Sequence, residues 1–374
     1  MPASVEPVPA SAPSESSPEP AAPSLHYPFG QQAPGPGELL EVADGVGWVR
    51  MPLPFALDHI NLWVLRDGDA WTVVDCGYAG EASRAAWETL LAGPLAARPV
   101  RRVIVTHYHP DHVGLAHWLI RRFGAELWMT QAEYLTAHAV WDGRAGFGKE
   151  PLMALYRRHG LDEARLGHLR LKGETYRQGV PELPTRYRRI LDGEAIPIDG
   201  RAWTVRVGYG HAPEHAALHC EALGLLISGD MVLPRISTNV SVWGNEPEGD
   251  PLGLYLDSLT RYRTLPEQTR VLPSHGLVFT GLRARIDALR RHHVERLGTL
   301  RAACAQPRTA AEVMPVLFKR ALDPHQLFFA LGETLAHMNY LWRRGRLERL
   351  EAEGVYRFRA LASPRFVEAP AGLD

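Results

Sequence analysis

Residues 106–114 read THYHPDHVG, which puts three histidines and an aspartate into the six positions from His107 to His112. The preceding run, RRVIVTH, is apolar without alternation and predicts a buried strand. The following run, GLAHWLIRRFG, predicts a helix closed by Gly124. The cluster must therefore form a tight loop at the C-terminal end of a buried strand. Imidazole nitrogens suit zinc and related ions, and a carboxylate compensates charge. His107 and His109 are two apart, so on an extended turn both can reach one ion. Asp111 and His112 follow as the turn closes and can reach a second.

One loop rarely completes two coordination spheres, so further ligands are expected at other strand ends. GYGHAPEH supplies His211 after RAWTVRV, ISGD supplies Asp230 after GLLI, and PSHG supplies His275 after RVL. Each follows an apolar strand and sits beside a glycine.

The surrounding chain reads in blocks. Residues 1–37 are rich in Pro, Ala and Ser and nearly free of large apolar side chains, which predicts a disordered tail. GWVRMPL, INLWVLRDG and AWTVVDCG predict a strand meander, SRAAWETLLAGPL a helix and AELWMT a strand. Residues 131–190 look helical, and positions 141–190 hold eleven Lys/Arg against six Asp/Glu. That excess suits either a solvated face or a lid attracting an anionic substrate. Beyond about Leu282 three helices are expected, the second opened by a capping box at Thr309 and Glu312, followed by a hairpin around EAEG. Three helices and a hairpin describe a winged-helix-like domain. Its last helix begins PHQLFFALGETL, apolar enough to predict packing on the catalytic domain or a partner subunit rather than in a DNA groove.

Composition excludes several classes. An apolar fraction of 45%, a charged fraction of 22% and a net charge of −1 are ordinary for a globular protein and point to no polyanionic partner. The three cysteines, Cys76, Cys220 and Cys304, are too few and too scattered for a disulfide framework and suit a reducing compartment. With no apolar run of about 18 residues and no secretory pattern, a cytoplasmic location is expected.

The HxHxDH loop, the Gly-His loop, the strand ending in Gly-Asp and the late Ser-His-Gly together resemble the metallo-β-lactamase superfamily over about residues 40–282. The added C-terminal block resembles the subgroup containing the endoribonuclease lactamase beta-like protein 2. The resemblance implies an α/β fold of the αββα sandwich type over 38–282 with a helical insertion at about 131–190, a winged-helix-like domain at 283–362 and a tail at 363–374. It implies that His107, His109 and His211 bind a first metal, that Asp111, His112 and His275 bind a second, and that Asp230 bridges both, as in glyoxalase II. Asp75 matches an acid that supports the ligand loop. The implied cofactor is two zinc ions, with iron or manganese as alternatives. The implied chemistry is attack by a metal-bridged hydroxide on a carbonyl or phosphoryl centre, with Asp111 orienting the nucleophile and shuttling its proton. His215 matches a second family histidine that is usually not a ligand. Arg235 and Asn239, shortly after Asp230, are candidate substrate contacts.

The expected function is hydrolysis of a small thioester, ester or lactone, of anionic character if the basic insertion serves it. The alternatives are a single-strand endoribonuclease or phosphodiesterase, a promiscuous β-lactam hydrolase, and a non-catalytic DNA-binding regulator. The small-molecule substrate is favoured over nucleic acid, no membrane partner is expected, and a homodimer is compatible with the chain.

Overall fold

The computed structural model describes residues 25–171 and 176–362. Two sheets face each other. The first has seven strands in sequence order: β1 (Leu40–Ala43), β2 (Val46–Pro52), β3 (His59–Asp67), β4 (Ala70–Val74), β5 (Val100–Ile104), β6 (Glu126–Met129) and β7 (Arg188–Arg189). The second runs β12 (Arg270–Pro273), β11 (Leu225–Gly229), β10 (His215–Cys220), β9 (Arg201–Gly208), β8 (Ala195–Ile198). The stretch AALHCEALGLLISGD is an antiparallel hairpin of β10 and β11.

Alternation along the strands builds three layers of core. In β3, Trp63 and Leu65 point between the sheets, where they join Trp48, Ile104, Trp203, Val205, Leu218 and Ile227. Ile60, Leu62 and Val64 point outward onto the helices α1 (Glu81–Ala92) and α3 (Ala116–Phe123), where Trp87 and Leu119 are buried. The outer face of the second sheet, with Ala217, Leu226 and Val271, is covered by α8 (Pro251–Tyr262) and by helices beyond it. This is the expected αββα sandwich. The sequence patterns above do not announce α8, although Asp250 caps it by accepting from Gly253 N–H at 3.0 Å.

The short α2 (Pro110–Val113) lies within the histidine cluster. Residues 131–190 form α4 (Gln131–Trp141), α5 (Lys149–Arg158), α6 (Glu163–Leu171) and α7 (Tyr176–Gly179). Much of the insertion's positive charge is locally paired. Arg144 and Arg177 face Asp142, Arg157 faces Glu163, Arg158 faces Glu351, Arg165 faces Asp162 and Arg188 faces Glu194.

The expected tail boundary moves. Residues 25–37 lie on the domain: His26 bridges to Thr280, Leu25 and Tyr27 pack on the C-terminal core, and Phe29 and Ala33 on the core between the sheets. A few apolar anchors, Leu25, Tyr27 and Phe29, suffice to order a stretch whose composition reads as tail. The rest of that expectation, and the tail at 363–374, lie outside the described residues.

At the C-terminus, α9 (Leu282–Ala303), α10 (Ala310–Leu317) and α11 (Pro324–Arg343) precede the hairpin of β13 (Leu347–Ala352) and β14 (Val355–Ala360). Thr309 and Glu312 form the expected capping box. Residues Leu331 and Thr334 to Asn339 of α11 are almost fully buried, so this helix is covered all round there. Val242 N–H donates to Gly332 O, Tyr156 Oη to Phe328 O, and Asn339 Nδ2 to the carbonyls of Pro247 and Gly249. Part of the covering comes from α9, α10 and β13 and part from α6 and α8, and one continuous core runs from Met153 through α8 to Phe358. Asn339→Leu should orphan two carbonyls and lower stability by about 1–3 kcal/mol, read as a drop in the urea midpoint with unchanged slope. An unchanged midpoint would mean that this seam does not fasten the two parts.

Candidate metal centre

The site follows from strand direction. β4 and β5 run parallel, as do β11 and β12, and β9 runs with β11 because each is antiparallel to β10. The segments leaving β4, β5, β9, β11 and β12 carry Asp75, the 107–112 cluster, His211, Asp230 and His275. Two seams bring the sheets together there. Ala216 N–H donates to Thr106 O at 2.9 Å. Asn61, fully buried in β3, donates through Nδ2 to the carbonyls of Pro273 and Gly276 and through its N–H to Ser274 O. Arg50 adds a bond to Gly276 O. The His275 loop of the second sheet is thus held by side chains of the first.

All seven expected ligands meet at this edge. Side-chain donor atoms of His107, His109, His211 and Asp230 form one group, and those of Asp111, His112 and His275 another, each within 4.8 Å. Asp230 reaches both groups. Its Oδ2 lies 3.4 Å from His211 Nε2, 4.0 Å from His107 Nε2 and 3.7 Å from His112 Nε2, while Oδ1 lies 3.5 Å from His275 Nε2. Asp111 Oδ2 is 3.4 Å from His275 Nε2 and 3.7 Å from His112 Nε2.

The imidazoles are oriented from behind. His112 Nδ1 donates to Asp75 Oδ2 at 2.7 Å, His211 Nδ1 to Asn239 O at 2.8 Å and His275 Nδ1 to His59 O at 2.8 Å. Each then directs Nε2 at the centre, the arrangement typical of metal-bound histidine. Asp75 also accepts the backbone N–H and the hydroxyl of Thr106. It holds φ at 63°, a region costly for a non-glycine residue, at the turn leaving β4. Two atoms facing the centre, His112 Nε2 and Asp230 Oδ1, are buried without any hydrogen-bond partner. Such orphans fit a site built for cations.

The charges agree. Burial and neighbouring imidazoles push His107 well below its ordinary value, and burial with His211 takes His109 down to about 3, so both stay neutral as ligands must. Burial also pulls on His112 and His275, but facing carboxylates outweigh it and raise both: Asp75, Asp111 and Asp230 at His112, Asp230 and Asp111 at His275. Burial pushes Asp111 up, yet His112 and His275 hold it at about 2.

The remaining candidates fall in place around the cluster. His215 stays out of the ligand set and accepts the N–H of Asp230 on Nε2 at 3.1 Å. Gly229 (φ +53°) has to be glycine, because a Cβ there would come within 2.2 Å of that nitrogen. Asn239 reaches the cluster through its carbonyl on His211, while its side chain accepts from Ser241 Oγ. Arg235 is exposed on the loop after Asp230. Sequence patterns alone do not single out Asn61, Thr106 or Glu133. Asn61 and Glu133 stand in no recognisable spacing with the ligands, since each acts on backbone that only the fold brings near, and the Thr106 hydroxyl reaches Asp75 only in the folded chain.

Residues 56–275 match the family described as the metallo-beta-lactamase superfamily, and residues 297–361 match the metallo-beta-lactamase-like C-terminal domain. A probable metallo-hydrolase of Bacillus subtilis is 29% identical over 78% of this chain and 91% of its own length. A beta-lactamase-like protein 2 homolog of Caenorhabditis elegans is 23% identical over 66% of this chain and 65% of its own. Among solved structures, a beta-lactamase domain protein from Burkholderia ambifaria is 51% identical with a TM-score of 0.83, covering 90% of this chain and 98% of that one. A metallo-beta-lactamase family protein from Thermus thermophilus is 30% identical with a TM-score of 0.74, covering 86% of this chain and 100% of that one.

Asp75→Asn should keep the shape but remove the charge behind His112, weakening metal binding about 10- to 100-fold. Competition with a chromophoric chelator measures this. Unchanged affinity would show that Asp75 serves the turn alone.

Proposed function

Because the chain belongs to the metallo-β-lactamase superfamily and gathers seven metal-competent side chains at one strand edge, we propose that it is a two-metal hydrolase of small thioesters, esters or lactones that carry an anionic group. The observation that carries this reading is the twofold grouping of ligands joined by Asp230. Zinc suits a histidine-rich set with a shared carboxylate, and iron or manganese are the alternatives. Two divalent ions bound there supply a water acidified toward neutrality and polarisation of the substrate oxygen.

The protein's own groups do the rest. His112, His211 and His275 are locked by their Nδ1 bonds, so the centre needs little reorganisation during reaction. Asp111 and His109 are half-buried whereas the other five ligands are buried, so substrate approaches on their side. Asp111, ionised at neutral pH, accepts and later returns the proton of the attacking water. Its partly open position puts it where a proton must pass.

Arg235 supports the anionic preference better than the insertion does, since six insertion arginines already have acidic partners. Arg235 is exposed and has no acidic partner among the described residues. Its loop is fixed by Arg285, which donates to Leu233 O and Ile236 O. Pro234 packs on Gly276 beside His275, and this neighbourhood supports a place for Arg235 near the second ligand group. The exposed Ile236 adds apolar surface for an acyl chain. The C-terminal unit, winged-helix-like in its order of elements, acts here as a packing module. Its buried α11 weighs against a nucleic-acid substrate. No helix among the described residues is long and apolar enough to cross a membrane, and the three unpaired buried cysteines suit the cytoplasm.

Zinc-loaded protein should release free thiol from acyl thioesters that bear carboxylate or phosphate groups. Asp111→Asn should lose about 100-fold or more of that turnover with the fold intact, and an undiminished rate would remove the assigned role. Arg235→Glu should raise KM for anionic substrates about tenfold, the equivalent of one charged contact, and leave neutral esters unaffected. Turnover of single-stranded RNA in place of thioesters, esters and lactones would overturn the substrate class.

A further inference from the structure

The chain contains the pattern Thr-x-x-Glu at the start of two helices, with different outcomes. At Thr309 and Glu312 the two side chains cap their own helix reciprocally. At Thr130 and Glu133, the start of α4, they do not: Thr130 makes no side-chain cap bond. Its hydroxyl donates to Glu214 O at 2.9 Å. Glu133 accepts Tyr108 N–H on Oε2 at 3.0 Å and Glu214 N–H on Oε1 at 2.6 Å. Tyr108 lies between the ligands His107 and His109. Glu214 lies three residues after His211 and directly before His215, which holds Asp230. One fully buried carboxylate therefore ties together the two loops that carry the three histidines of the first ligand group.

A solvated first-turn acid carries no desolvation penalty. This one is buried, which pushes its carboxyl up to about 8 against the pull of the two N–H groups. The helix also forgoes a cap from its own Thr130, and Glu214 Oε2 accepts the N–H of Ala132 instead, a further bond between the same two segments. Local propensity is overridden in favour of a link between loops, the usual circumstance at functional sites.

We propose that Glu133 is a positioning residue for the first metal, setting the spacing of His107 and His109 against His211. This rests on the two-metal reading above, but its test reads metal binding and does not depend on the substrate. Glutamine keeps the size and one acceptor, and turns its amide NH2 against the other backbone N–H. Glu133→Gln, the wild type and Glu312→Gln would be stripped of metal and titrated with Co2+ and with Zn2+ against a competing chelator, with folding followed by circular dichroism and melting temperature.

The expected result for Glu133→Gln is two unequal sites. One equivalent should bind at least tenfold more weakly with an altered Co2+ visible spectrum, and the other should be unchanged. Where a thioester or ester is turned over, kcat should fall while KM stays the same. Glu312→Gln should lower the melting temperature and leave both affinities intact. If folded Glu133→Gln binds both ions like the wild type, or loses both equally, the proposal is wrong. If Glu133→Gln does not fold, Thr130→Val removes the companion bond to Glu214 O and should weaken the same single site by a smaller factor. No change in that variant overturns the proposal. Wild-type protein that binds no second equivalent would instead sink the two-metal reading itself.

Discussion

Imidazoles and carboxylates do not collect in a protein interior by themselves. Removing them from water is unfavourable unless each finds a partner, and at this centre two atoms, His112 Nε2 and Asp230 Oδ1, find none among the described residues. His107 and His112 are fully buried, and Asp230 and His275 nearly so. The rest of the architecture can be understood as what holds these groups together despite that cost. Like-directed strands deliver them to one edge, and backbone seams stop the edge from opening. Hydrogen bonds to Asp75 and to the carbonyls of Asn239 and His59 fix which nitrogen faces inward.

The supporting bonds share a feature. Asn61, Glu133 and His215 act mainly on backbone groups of ligand-bearing loops rather than on the ligand side chains. Backbone bonds fix the loop, and the loop fixes the side chain. The two halves of the centre are therefore held from different sides. Asn61 and Arg50 of the first sheet hold the His275 loop, and Glu133 at the head of the insertion holds the loops of His107 and His211. The insertion serves the centre through this buried foot rather than through its arginines, most of which are occupied by local acids.

Much of this is legible in the sequence, for identifiable reasons. The ligands stand at fixed offsets from apolar strands, so local spacing is enough to pick out all seven. The alternation in INLWVLRDG and the unbroken run RRVIVTH announce one sheet face or two. The Thr309–Glu312 box is visible because it is local. What cannot be read depends on approach between distant segments. Thr130 and Glu133 present the same local pattern as Thr309 and Glu312, and nothing in the sequence says that one pair caps its helix while the other holds loops some 25 and 80 residues away. Residues 25–37 have the composition of a tail, yet Tyr27 and Phe29 find apolar surface that only the finished fold exposes.

The resemblance to a known family implied two sheets with helices outside, and the sequence by itself determined the chemistry: which side chains can bind metal and at which strand ends they sit. Periodicity and short-range spacing encode these because they arise from the geometry of a single strand or helix. Tertiary structure alone decided which nitrogen of each histidine is free, which carbonyls and carboxylates orient it, and that the apolar helix at 324–343 packs into the catalytic unit. Those outcomes depend on contacts between residues tens to hundreds of positions apart, such as Asn61 with Pro273 and Asn339 with Gly249, and no local pattern records which partner a buried polar group will meet.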